Sequence, residues 1–283
     1  MMDTAAYCQE LVRDEDRDRF LTTLFAPDER RQALYALYAF NTELARVRES
    51  VSDPIPGEIR LTWWREVFEG SRKGEAEAHP VARALLSAIH DNRLPFEPFI
   101  RMTEARVFDL YDDPVPTVGD LEGYAGDTSS ALIRLASIVL TGGEEPGGAA
   151  AAGHAGVAYA ITGLLRAFPF HAQRGQIFVP AEVLARNGVG REDVLSGRTT
   201  PEILAALKEM RELAWRHLDA ARAAMTGVDG QALAAFLPGA LVAGYLKRME
   251  RRDYDPFRTP VEVPQWRRQW TLWRAASRSR PLG

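Results

Sequence analysis

The sequence predicts an all-α protein, and three observations lead to that prediction. Apolar residues recur at helical spacing, as at Leu34, Leu37, Tyr38 and Leu44, which is the pattern of one helix face. Strand-like alternation is almost absent, and its closest example, residues 176–179, ends at Pro180. Proline and glycine breaks are frequent and divide the chain into about ten predicted helices. Together these features indicate a helical bundle.

The breaks are short, and none has the length or composition of an interdomain linker. We therefore predict a single helical domain over residues 1–255, followed by a basic tail over 256–283 that is rich in Trp and Arg. Thr117 and Thr200 are predicted N-caps, and Pro201 suits the first position of a helix.

Composition excludes several classes of function. The net charge of −4 gives no overall basic surface for nucleic acid. A single cysteine, Cys8, fits a reducing compartment, and no basic segment followed by an apolar core marks export at the start. We expect a cytoplasmic protein, either free or peripheral on the inner membrane. The charge-free stretch 146–165 is weakly hydrophobic because of its glycines and alanines, which favours a buried helix over a membrane span.

Two groups of acidic residues could bind a divalent cation. Asp14 and Asp18 are four residues apart and would share a helix face, but the arginines among them favour an exposed, salt-bridged surface. Asp109, Asp112 and Asp113 precede Pro114, which favours a helix end leading into a loop over a magnesium site.

Other catalytic patterns are missing from the sequence. The five histidines form no His-Glu-x-x-His motif and no close pair suited to zinc. The glycines between 142 and 148 lack the lysine of a phosphate-binding loop, and Cys8 has no evident base partner, which favours a packed or surface thiol.

Two segments, residues 37–49 and 163–180, resemble the hallmark segments of the squalene/phytoene synthase family. Asp109 and the run Asp120-Leu-Glu-Gly-Tyr124 also occur in the expected order, so the resemblance covers roughly residues 5–250. It implies the all-α isoprenoid synthase fold, a bundle with a central cavity, in which active members hold Mg²⁺ and a substrate diphosphate with aspartates from both segments.

This sequence departs from the first family motif. Active members carry Phe-Cys-Arg, two residues, and then Asp-Asp-x-x-Asp, whereas here Phe40, Asn41 and Thr42 are followed by other residues at the acidic positions. Those positions are Ala45, Arg46 and Glu49, so two of the three acids are absent.

The second motif is altered as well. The two aspartate positions hold Ala167 and His171, with Pro169 between them, while Arg174 is kept. Proline inside a helix removes a hydrogen bond and clashes with the preceding turn, so we expect it to interrupt the helix here. Mg²⁺ needs hard oxygen ligands, so the sequence predicts no bound metal, no cofactor and no catalysis.

The altered segments also resemble one branch of the family, represented in mitochondria by an assembly factor of respiratory complex I. The residues that carry this likeness are the strings over 39–52 and 124–130. The resemblance implies a non-catalytic role in assembling NADH:quinone oxidoreductase, with a complex I subunit or assembly intermediate as partner.

Two alternatives stay open. The first is a prenyl transferase of isoprenoid biosynthesis that binds Mg²⁺ through another acid set, such as the three aspartates at 109, 112 and 113. The second is metal-free binding of a prenyl diphosphate or lipid, in which Arg46, Arg166 and Arg174 contact the phosphate; Phe40 and Asn41 are further candidate contacts in the cavity.

The tail has a pattern of its own. Trp266, Trp270 and Trp273 have the spacing i, i+4 and i+7, and residues 264–283 contain five arginines and no acid. A helix with this sequence presents an aromatic stripe beside a basic face, which suits an anionic membrane or an acidic partner. Packing of the three tryptophans onto the bundle is the alternative.

Overall fold

The computed structural model describes residues 3–283, and this part of the chain contains helices but no β-sheet. Its one β-type pairing is an isolated bridge between Gly147 and Val228. The predicted all-α class is confirmed.

The described residues form fifteen α-helices, more than the ten predicted. Some breaks are single residues: Asp16 ends the first helix, and its side chain caps the second by accepting the backbone N–H of Arg19 at 3.1 Å. The helices are α1 (Thr4–Glu15), α2 (Arg17–Thr23), α3 (Asp28–Arg46), α4 (Pro54–Phe68), α5 (Lys73–Ala78), α6 (Pro80–Asp91), α7 (Glu97–Val107), α8 (Val118–Ala125), α9 (Ala131–Leu140), α10 (Ala149–Gln173), α11 (Ala181–Arg186), α12 (Arg191–Leu195), α13 (Pro201–Ala224), α14 (Val242–Met249) and α15 (Gln265–Ser277).

Several short helical segments connect these elements. Four are 3₁₀ helices, at Arg48–Ser50, Phe108–Leu110, Met225–Gly227 and Gly230–Leu241, and one is a π-helical turn at Gly126–Ser130. The π turn joins α8 to α9 without a break in the helical path.

The predicted caps are confirmed. Thr117 accepts a hydrogen bond from the backbone N–H of Asp120 at 3.1 Å, and the Asp120 carboxylate accepts the Thr117 N–H at 3.0 Å, which completes a capping box. Thr200 accepts the N–H of Ile203 at 3.3 Å, and Pro201 is the first residue of α13.

Two helices, α3 and α10, carry the two hallmark segments. The first packs against α1, α6, α7 and α9, and the second packs against α13, α9 and the π turn. Both helices bury most of their apolar side chains, since each is surrounded by neighbours rather than lying on one edge of the bundle.

Pro169 does not interrupt its helix, so that prediction was wrong. Helix α10 runs from Ala149 to Gln173 with Pro169 inside it. Proline removes one backbone N–H, but it stands only four residues before the helix ends, and the packing of α10 against α13 and its other neighbours holds the segment helical.

The prediction for Asp14 and Asp18 was half right. Asp14 is exposed and pairs with Arg13 at 3.1 Å. Asp18 lies on a different helix and is buried, where it accepts hydrogen bonds from the Tyr245 hydroxyl at 2.7 Å and from Arg268 at 2.8 Å. These contacts join α2 to α14 and α15.

Helix α15 packs on the bundle through one face only. Leu272 and Ala275 are buried against the 230–241 segment, whereas Trp266, Trp270 and Trp273 are 64%, 56% and 52% exposed. The alternative in which the tryptophans pack onto the bundle is therefore wrong. The predicted boundary at 255/256 falls in the loop between α14 and α15.

The charge-free stretch predicted to be a buried helix forms the first part of α10, and its side chains are mostly covered. Among residues 3–283, no helix combines the length and apolarity that a bilayer crossing requires.

The contact between α10 and the π turn gives a test of the packing. A Cβ on Gly156 would lie 2.3 Å from the Cα of Ser130, whereas one on Gly153 would meet nothing within 4 Å. We expect Gly156→Ala to lower the free energy of unfolding by about 1–3 kcal/mol, because the turn must move. Gly153→Ala, the matched control on the same helix, should be neutral or stabilising by up to about 1 kcal/mol. Urea unfolding measures both, and equal effects would contradict the described contact.

Candidate functional site

A cavity of about 370 Å³ lies between α3 and α10. The ends of α1 and α7, the start of α2, the end of α8 and the π turn close its other sides. The lining residues are Glu15, Asp16, Arg19, Asn41, Thr42, Ala45, Arg46, Glu49, Arg106, Tyr124, Thr128, Ser129, Tyr159, Ala160, Gly163 and Leu164.

Every carboxylate that lines this cavity is bonded to an arginine. Glu15 pairs with Arg46 at 2.8 Å, Asp16 with Arg19 at 2.5 Å, and Glu49 with Arg174 at 3.0 Å. The pair between Glu49 and Arg174 joins the segment that follows α3 to the end of α10. We call these three contacts the cavity ion pairs.

The cavity ion pairs differ in burial. Arg19 is covered, and its guanidinium lies over the rings of Tyr159 and Tyr38, at 4.9 and 5.7 Å from their centres. Burial lowers the pKa of Arg19, but Asp16 and the two tyrosines more than offset this effect, so the residue stays charged. The side chains of Glu49 and Arg174 are half-exposed, where such a pair contributes little to stability.

A second arginine is held in the opposite wall. Arg106 donates to Asp109 at 2.9 Å and to the Tyr124 hydroxyl at 2.7 Å, and Tyr124 in turn donates to Asp109. Burial raises the pKa of Tyr124, so the phenol keeps its proton. Arg106 therefore holds this wall in place while Asp109 neutralises its charge.

The first-motif positions reach the cavity, with one exception. Asn41, Ala45, Arg46 and Glu49 line it. Phe40, predicted as a candidate cavity contact, instead lies in the apolar core, within 4.9 to 5.6 Å of the rings of three other aromatic residues. Its place in the α3 helical repeat points it away from the cavity.

The two positions of the second motif do not reach the cavity. Ala167 and His171 lie one and two turns beyond Gly163, the nearest lining residue on the same side of α10. His171 packs on the ring of Phe178 at 4.6 Å, in a region where apolar side chains leave only about 10 Å³. Burial and then Arg174 lower the pKa of His171 to about 4, so it is neutral at physiological pH.

The two arginines named beside that motif have different places. Arg166 does not line the cavity; it stacks over the ring of Tyr245 at 3.7 Å and lies 3.8 Å from Asp18. Its predicted phosphate contact was therefore wrong. Arg174 lies at the cavity edge through its pair with Glu49.

The residues present do not fit the magnesium ions that the family uses. The positions that would supply carboxylates hold methyl groups, a guanidinium and a neutral imidazole, and the carboxylates that remain are already bonded to arginine. Within residues 3–283, no group of three or more His, Cys, Asp or Glu side chains is arranged to hold a metal. A cation here would have to displace arginines that repel it.

The alternative acid set is not brought together. Asp109 is buried in the wall with Arg106, whereas Asp112 and Asp113 are exposed in the following loop, and Asp112 lies 3.6 Å from Arg48. Of the two sequence interpretations, the helix end leading into a loop is the one that the structure shows.

A second groove, of about 750 Å³, adjoins the cavity along α3, and Thr42, Arg46 and Glu49 line both. Its lining combines apolar and aromatic side chains, such as Ile59, Trp63 and Trp64, with polar and charged ones, including Glu43, His79 and Arg174. Burial raises the pKa of Glu43 to about 7 and lowers that of His79. The pKa of Glu43 is raised because a carboxyl in an apolar setting resists ionisation. The sequence contained no pattern that predicted this role for Glu43.

Two further contacts were outside the sequence prediction. His154 and His217, 63 residues apart, approach within 3.0 Å, and His217 also bonds to Glu122 at 2.9 Å. The sequence showed no close pair because α10 and α13 bring these residues together. Cys8 is buried, and burial followed by the charge of Glu43 raises its pKa to about 12. Of the packed and surface thiols that the sequence left open, the structure shows the packed one.

The profile of the squalene/phytoene synthase family matches residues 12–274. The chain belongs to this family. Two solved structures share its fold: a dehydrosqualene synthase, with a TM-score of 0.79 and 19% identity over 98% of this chain and 96% of the other, and squalene synthase HpnC from Alicyclobacillus acidocaldarius, with a TM-score of 0.75 and 22% identity over 90% and 95%. The isoprenoid synthase fold is therefore confirmed.

Two relatives with higher sequence identity than these structures are named as assembly factors and not as synthases. A rat protein named NADH dehydrogenase (ubiquinone) complex I, assembly factor 6 is 34% identical over 92% of this chain and 78% of its own length, and the human protein of that name is 32% identical over the same shares. A phytoene synthase from Thermus thermophilus is 27% identical over 93% of this chain and 89% of its own.

The buried Glu43 carboxyl gives a pH test. Its pKa of about 7 in the folded protein lies above the ordinary 4.5, so its contribution to stability is present below pH 4.5 and is lost as the pH rises to about 7. As the pH rises over this range, the free energy of unfolding of Glu43→Gln should therefore increase by about 3 kcal/mol relative to that of the natural protein. Urea unfolding at a series of pH values measures the difference. Glu10→Gln, at an exposed position on α1, is the control, and parallel curves for Glu43→Gln would contradict the prediction.

Proposed function

We propose that this family member is not a catalyst and serves in the assembly of respiratory complex I. Its partner in this role is a complex I subunit or an assembly intermediate, and it works in the cytoplasm at the inner membrane. The assembly role is supported by the rat and human relatives named complex I assembly factor 6, which match about nine-tenths of this chain.

The observation that carries the non-catalytic part is the set of cavity ion pairs. Diphosphate departure in this family relies on metal ions held by carboxylates from both walls, and such metals supply several kcal/mol of transition-state stabilisation. Here Glu15, Asp16 and Glu49 each neutralise an arginine. Because each 1.4 kcal/mol or so corresponds to a tenfold change in rate, loss of this metal set lowers turnover by several orders of magnitude.

The cavity itself supports a structural use. Its charges are internally paired, and the apolar region beyond Leu164 is closed by packed side chains that leave about 10 Å³, roughly the space of one water. A prenyl chain extending past Leu164 would have to displace that packing. The internally paired charges favour a non-catalytic role over conversion of an isoprenoid in this cavity.

The first test is turnover. Purified protein with Mg²⁺ and farnesyl or geranylgeranyl diphosphate should release no diphosphate above the no-enzyme background, because no carboxylate set is free to hold the metal. The Thermus thermophilus phytoene synthase, assayed alongside, confirms that the conditions support the reaction. Turnover by this chain that disappears in Glu49→Gln would establish the prenyl transferase alternative and remove the proposal.

The second test is genetic. Deletion of the gene should lower the NADH:quinone oxidoreductase activity of membranes, and a plasmid copy should restore it. Glu49→Gln should restore it equally well, since it loses only a half-exposed ion pair worth about 0–1 kcal/mol. Unchanged activity in the deletion strain argues against the assembly role. Failure of a stably expressed Glu49→Gln protein to complement would instead indicate that Glu49 has a chemical role.

A further inference from the structure

Helix α15 presents three indole rings to solvent on one side. Trp266, Trp270 and Trp273 are more than half exposed, and the rings of Trp270 and Trp273 stack at 5.0 Å. The opposite side of the helix, with Leu272 and Ala275, is buried in the bundle. The orientation of the tryptophans is therefore fixed by packing, and we call this surface the tryptophan face.

Cations lie along one edge of the tryptophan face. Arg267 and Arg274 flank it at helical spacing, and Arg267 lies over the ring of Trp266 at 5.1 Å. No Asp or Glu occurs from Pro264 to Gly283, and the nearest acid in sequence is Glu262. This local excess of positive charge contrasts with the net charge of −4 of the whole chain.

A groove of about 360 Å³ continues from this edge, between α15 and the bundle. Its charged side chains are Lys247, Arg274, Arg278 and Arg280, all exposed, and no carboxylate side chain lines it. Trp270 belongs both to this groove and to the tryptophan face. The structure thus joins a groove lined by four cationic side chains to an aromatic platform.

We propose that the tryptophan face and the adjoining groove dock this protein on an anionic phospholipid membrane. Indole rings prefer the interface between headgroups and acyl chains, because one part of the ring is apolar and the N–H remains solvated. The arginines and Lys247 then lie at the level of the lipid phosphates, which attract basic side chains. Charge complementarity suits any anionic surface, and the three exposed aromatic rings favour a bilayer over an acidic protein surface. The inference does not depend on the role in complex I assembly.

The first experiment is flotation of the whole purified protein with vesicles of phosphatidylcholine alone or mixed with phosphatidylglycerol. We expect binding to the mixed vesicles only, weakened by salt as the charges are screened, with a blue shift of the tryptophan emission. Absence of binding to the mixed vesicles at low salt overturns the proposal. Binding to polyglutamate in their place would assign the face to an acidic polypeptide.

The aromatic contribution has a matched control. Replacement of Trp266, Trp270 and Trp273 by Ala should lower the partition onto mixed vesicles by about tenfold or more and abolish the blue shift. In the control variant Ala replaces Ile55 and Ile59, both 65% exposed on α4. This variant should bind the mixed vesicles as the natural protein does. Unfolding curves of the two variants should match, since all the altered side chains lie on the surface. Equal binding by both variants contradicts the proposal.

The charge contribution is tested in the same way. Arg274→Gln with Arg278→Gln should weaken binding on the order of 20-fold and reduce its salt dependence. Arg13→Gln with Arg101→Gln removes the same charge from exposed sites elsewhere and should have a much smaller effect. Identical losses for the two pairs would show that net charge, and not this groove, directs the protein to the vesicle.

Discussion

The cavity ion pairs are the interaction on which the rest of the site depends. A metal-binding synthase needs carboxylates that are free and convergent, and such a group is stable only when a cation neutralises it. In this chain the neutralising cations are covalently part of the protein: Arg19, Arg46 and Arg174 satisfy Asp16, Glu15 and Glu49 without any bound ion. One of these pairs, Glu49 with Arg174, joins the two hallmark segments directly.

A buried carboxylate close to the cavity, Asp18, is paired in the same way. Asp18 lies between Arg268 of α15 and the Tyr245 hydroxyl of α14, with Arg166 of α10 nearby. A buried carboxylate costs much unless it is paired and hydrogen-bonded, so each of these elements constrains the others. This contact explains why α15 has a fixed orientation on the bundle and why its tryptophans face outward.

Sequence patterns could predict the helices and the family, but only part of the site. The spacing of Leu34, Leu37 and Leu44 and the caps at Thr117 and Thr200 are local signals, and each was confirmed. The places of Phe40 and Arg166 were wrong because a motif gives proximity along the chain and does not decide which side of a helix faces the cavity. The stacking of Arg19 on Tyr159, the approach of His154 to His217, and the burial of Glu43 all arise from tertiary packing that no single segment encodes.

The π turn at Gly126–Ser130 lines the cavity with one side and contacts α10 with the other. Thr128 and Ser129 face the interior, while the back of the same turn touches Gly156 and donates through the Ser130 hydroxyl to the carbonyl of Gly153 at 2.8 Å. The width of the chamber is thus set from behind, by how closely α10 can approach. Homologous proteins could enlarge or narrow it by changing one small residue outside the chamber, with every inward-facing side chain left as it is.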